Sequence, residues 1–110
     1  MSLSTHILDT SVGRPASGVP IVLERLDDHD GWTEVFDDTT NEDGRVPKFT
    51  EELEAGTYRL TFDVAAYWEK TGTPGFYPTI AVVFEISDPA QHYHVPLLLA
   101  PWGYSTYRGS

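Results

Sequence analysis

Cysteine is absent from the 110 residues, which excludes disulfide staples, thiolate metal sites and thiol nucleophiles. A chain without cysteine fits a reducing compartment, although secreted proteins also dispense with it. Positive charge is scarce: 7 Lys and Arg stand against 17 Asp and Glu, a formal net charge of -10. So acidic a chain is a poor partner for phosphate backbones or anionic lipid. No apolar run is long enough to span a membrane, and the opening MSLSTHILD lacks the basic start and apolar centre of a signal peptide. The last residues are not a peroxisomal address, and no repeat or low-complexity tract appears. These absences predict a cytoplasmic protein that binds neither nucleic acid nor membrane. The acidic clusters DDHD, DD, ED and EELE lack the regular oxygen spacing of a calcium loop and read as solvated loops.

What is present is enough for one modest core. Hydrophobic residues make up 40% and aromatics 13%, which argues against disorder and predicts one domain over residues 1–110. Short β-branched and aromatic runs alternate with turn chemistry. STHILD, VPIVLERLD, WTEVFDDTT, GTYRLTF, TIAVVFEI, HYHVPLLLA and YSTYRGS read as strands. NEDGR reads as a tight turn, because Gly44 takes a positive φ without steric cost, and Arg45 follows it directly. DVAAYWEKTG breaks the pattern: Asp63 is a cap, Val64, Tyr67 and Trp68 share a face, and Gly72 is a stop. The expectation is all-β, a two-sheet antiparallel sandwich of seven or eight strands with one short helix near residues 64–71.

The ending is unusual, since YSTYRGS alternates like a strand where most tails fray. A hairpin about APWG, with Leu99 facing Tyr104, sets His94 across from Gly109, and one more loop residue would set it across from Ser110. The chain's last residues then lie within one cross-strand step of a histidine. His92 and His94 share a strand face. Taken alone, His94 reads as a hydrogen-bonded structural residue, Arg45 as a solvated charge and His6 as a mid-strand histidine. HYH also offers two metal ligands, but a zinc site needs a third from His6, His29 or a carboxylate, and no metal is expected.

Together, STHILDTSVGRPASGVPIVLE, NEDGR and HYHVPLLLAPWGYSTYRGS resemble the transthyretin-related 5-hydroxyisourate hydrolases, from Leu3 to Ser110. The closing YRGS is the most specific piece. The hormone carrier transthyretin has the same fold, so a non-catalytic carrier is the alternative. The resemblance distinguishes them: the carriers have lysine at the position of His6, glutamate at Arg45 and threonine at His94, and continue past Ser110.

The resemblance implies an enzyme of urate breakdown that opens the six-membered ring of 5-hydroxyisourate with water, without a cofactor. It implies a homotetramer with sites in a channel between dimers, and Tyr107 as a wall of that channel. His6 and His94 suit the work of orienting and deprotonating the water, because histidine titrates near neutrality. Arg45 suits the carbonyl or the developing oxyanion, being a permanently charged fork of donors. Ser110 both donates and accepts, and its terminal carboxylate is expected to raise a neighbouring histidine's pKa. Arg108 is assigned to the carboxylate or the ring, and His92 to a supporting position behind the reacting groups.

Overall fold

Two β-sheets face each other across one apolar layer in the computed structural model, which describes residues 2–49 and 52–110. The first sheet contains β1 (Ser2–Asp9), β2 (Arg14–Pro15), β5 (Arg45–Val46), β8 (His92–Ala100) and β9 (Gly103–Thr106). Its order is β2-β1-β8-β9, and β5 shares the free edge of β1 with β2. The second sheet runs β4-β3-β6-β7, from β3 (Pro20–Leu26), β4 (Trp32–Thr39), β6 (Gly56–Phe62) and β7 (Ile80–Ile86). Seven of these strands have four residues or more, and two are two-residue pairings at the rim of β1.

Alternation explains which side chains fill the core. Tyr58, Leu60 and Phe62 of β6 and Tyr93, Val95, Leu97 and Leu99 of β8 are buried at every second position. The helix α1 (Val64–Thr71) closes one end, burying Val64, Tyr67 and Trp68. Asp63 accepts from the Ala66 amide at 3.3 Å, and Gly72 ends the helix at φ 67°. The helix therefore begins and stops where its capping residues predict.

One buried carboxylate enters this core. Asp9, 3% exposed, accepts from the Tyr67 hydroxyl at 2.7 Å and from the Ser11 hydroxyl at 2.6 Å and amide at 3.0 Å. Burial, and then the acceptor Asp9, push the Tyr67 phenol up to about 12.

Two features depart from the expectation. β1 pairs with β8 in parallel, Ser4 opposite His94 and His6 opposite Pro96, in an otherwise antiparallel fold. The last strand covers Gly103–Thr106 rather than 104–110. Pro96 is the cause: it has no amide proton to give Tyr107, its opposite number, and its carbonyl is taken by the Thr106 hydroxyl at 2.7 Å. The register itself holds, with Leu99 opposite Tyr104 and Ala100 opposite Gly103.

Candidate active site

β1 and β8 send their odd-numbered residues into the core, so their even-numbered ones form the outer face of the sheet. Ser4 and His6 come from β1, His92 and His94 from β8. The parallel register sets Ser4 directly beside His94, and the Thr5 hydroxyl, donating to the Val95 carbonyl at 2.6 Å, locks that register from the buried side. His6 lies one diagonal step from His94, about 8 Å between Cα atoms from strand spacing and rise.

Arg45 is delivered by its turn. The Asn41 side-chain oxygen accepts from the amides of Asp43 at 2.9 Å and Arg45 at 3.0 Å, which winds the loop tight. Gly44 then docks on β1, its carbonyl accepting from the Ile7 amide at 2.8 Å. Its φ is +70°, and a Cβ there would lie 2.6 Å from the Ile7 carbonyl oxygen, so position 44 has two reasons to be glycine. The next residue pairs with His6 across the strands.

The chain's last residues return to the same place. Past the interruption at Pro96, the Gly109 amide donates to the His94 carbonyl at 2.8 Å. That bond sets Ser110 at the rim of a cavity of about 220 Å³ lined by Ser4, Arg45, Pro47, His92, His94 and Ser110. Within it, Ser4 Oγ lies 2.8 Å from Nδ1 of His94 and 3.2 Å from Nε2 of His92.

Of the residues singled out by sequence, Arg45, His92, His94 and Ser110 line this cavity. His6 is outside its lining, and stands beside Arg45 by strand pairing. Tyr107 and Arg108 line a second cavity of about 250 Å³ against Val82–Glu85 of β7, which His94 also borders. Arg108 has partners of its own: its guanidinium stacks 4.6 Å from the Tyr93 ring centroid and donates to Gln91 Oε1 at 3.0 Å. Ser4 was missed. A serine in a strand carries no chemical signal of its own, and only its parity with His6 on the outer face hinted at it. Among the described residues, no three His, Asp or Glu side chains gather as a metal site requires.

The electrostatics correct one expectation. Rather than being raised by a carboxylate, His6 and His94 are both held below the ordinary histidine value, first by burial and next by the Arg45 guanidinium. The Ser4 carbonyl opposes the shift at His94, and the Asp43 carbonyl opposes it at His6. Two imidazoles neutral at pH 7 beside a fixed cation can take a proton from water while the cation faces an anion.

Residues 3–109 match the HIUase/Transthyretin family. The chain belongs to that family. The 5-hydroxyisourate hydrolase of Mus musculus is 47% identical over 98% of this chain and 94% of its own length. The structure of Klebsiella pneumoniae 5-hydroxyisourate hydrolase superposes with a TM-score of 0.87 at 39% identity, covering 100% of both chains. Transthyretin from Sparus aurata superposes at 0.91 with 33% identity, covering 97% of this chain and 95% of its own. Backbone shape thus fits transthyretin as well as the hydrolase, and within this family the choice falls to side chains.

Proposed function

We propose that this chain is a hydrolase domain over residues 1–110 that converts 5-hydroxyisourate to 2-oxo-4-hydroxy-4-carboxy-5-ureidoimidazoline. The observation that carries the reading is the convergence of Arg45, His94 and Ser110, from three separate parts of the chain, on one cavity. Water attacks the ring carbonyl carbon as its proton passes to a histidine of the His6 and His94 pair. Arg45 stabilises the oxyanion, an effect typically worth ~3 kcal/mol per donor lost. Collapse of the tetrahedral species breaks the carbon–nitrogen bond, and the leaving nitrogen takes the proton that the histidine accepted from water. Ser110 bridges ring and water by its hydroxyl. No covalent enzyme intermediate is required, and no cofactor enters these steps.

The active form in this reading is a homotetramer with its sites at the dimer–dimer interface. One chain leaves the site open, with His92 and Ser110 exposed, which suits walls supplied by other copies. Tyr107, 58% exposed, is a candidate wall, and Trp102 and Val12, 68% and 61% exposed, are apolar surface for such contacts. No described helix is long and apolar enough to cross a membrane, and cytoplasmic residence is part of this proposal.

The test is a urate oxidase reaction followed by the transient absorbance of 5-hydroxyisourate, with chelator present. The protein should speed its fading. A rate equal to the spontaneous one, with tight retention of an aromatic ligand, would instead establish a carrier.

A further inference from the structure

Ser4 has no step in the chemistry above, yet it is 8% exposed and its hydroxyl touches both histidines of β8. A hydroxyl has one proton, so it donates to one ring and accepts from the other. Two arrangements satisfy both contacts. In the first, Nδ1–H of His94 donates to Ser4 Oγ, Oγ–H donates to Nε2 of His92, and Nε2 of His94 keeps a bare lone pair. In the second, Nε2–H of His92 donates to Oγ, Oγ–H donates to Nδ1 of His94, and Nε2 of His94 carries the hydrogen. Only the first makes His94 Nε2 a base. The proposed hydrolysis needs that base, and so the first arrangement.

We infer that Ser4 is a positioning residue: its hydroxyl holds His94 in the Nδ1–H tautomer and ties that tautomer to the protonation of His92. The inference rests on the proposed hydrolysis and deepens it. When His94 accepts a proton at Nε2, its Nδ1–H is already donated to Oγ, and no group has to turn. A proton on Nε2 of His92 has the opposite effect. It displaces the hydroxyl proton, which swings toward Nδ1 of His94; Nδ1 gives its own proton to solvent, Nε2 takes one from solvent, and the lone pair moves to Nδ1. His92, exposed at the cavity rim, thereby switches the half-buried base off from two residues away. The groups facing this pair are His6 from β1, Arg45 from β5 and Ser110 from the chain's last residues. His92 and His6 also act on His94 directly by charge, and the tautomer coupling is what the serine bridge adds.

The experiment compares the full-length protein with its Ser4→Ala and Ser4→Thr variants. Nitrogen-15 NMR of the labelled histidines should show Nδ1–H at His94 in the parent. In Ser4→Ala it should shift toward the Nε2–H form that free imidazoles prefer. In the coupled assay, Ser4→Ala should lower kcat about tenfold with KM within about twofold. Its activity should fall less steeply on the acid side, since two linked protonations become one. Ser4→Thr, which keeps the hydroxyl, should restore both readouts. An unchanged His94 tautomer in Ser4→Ala overturns the inference, as does a changed tautomer with parent kcat and parent acid limb. A parent protein that does not hydrolyse 5-hydroxyisourate sinks the proposed function instead; the NMR measurement, which needs no substrate, then decides the tautomer claim alone.

Discussion

The amide of Gly109 donates to the carbonyl of His94 at 2.8 Å, and a Cβ at position 109 would lie 2.4 Å from Cδ2 of the His94 ring. Backbone pairing and the missing side chain are two halves of one device, which lets the final turn of chain lie flat on an imidazole. Gly109→Ala must displace either the ring or Ser110. Misplacement on the ångström scale costs about 100-fold in rate. The expected result is that loss in the absorbance assay, with a thermal midpoint close to the parent's because the displaced segment is outside the core.

Arg45 acts on charge and on protonation at once. Arg45→Ala should cost about 100- to 1,000-fold in turnover through the lost oxyanion donor. The same guanidinium holds His6 and His94 below the ordinary histidine value, so removing it lets both rise. The acid limb of the rate profile, where these rings must be neutral, should therefore move to higher pH. Arg45→Lys keeps a charge and should leave the limb nearer its original place while still losing turnover.

Stability should follow the same titrations. Because His6 and His94 are lowered from 6.5 in the folded state, the unfolded chain binds more protons in the window just below that value. Stability is then full above 6.5 and falls as pH drops through the window toward the folded-state values. Urea denaturation at about pH 7.5 and about pH 5.5 should show the drop, and His6→Asn with His94→Asn should flatten it.

Gly44→Ala tests the turn. It places a Cβ against the Ile7 carbonyl oxygen in a left-handed backbone, and should cost about 2 kcal/mol in denaturant unfolding. Activity should fall with it, because Arg45 is held by the same loop.

Tyr67→Phe should lower stability without touching the site. It removes a buried donor to Asp9, far from the cavity, and should destabilise by about 1–3 kcal/mol with KM unchanged.

Much of this was legible in the linear order of residues. The helix lies where Asp63 and Gly72 bracket it, since capping is a local affair of backbone groups. The closing hairpin has its expected register, since a two-residue loop determines every pair beyond it. That register alone brought Gly109 to His94. What escaped was the interruption at Pro96, where a missing amide proton breaks the ladder before the chain ends.

The sequence by itself determined the alternation that sorts core from surface, the turn that presents Arg45, and the hairpin that folds the tail onto a histidine. Each depends on neighbours a few residues apart, where sterics and hydrogen bonding act within one short segment. Only the tertiary structure decided that β1 lies parallel to β8, with Ser4 beside His94 and His6 diagonal to it. Those partners are about ninety residues apart, and long-range strand pairing follows from how all the apolar faces bury together, which no local pattern encodes.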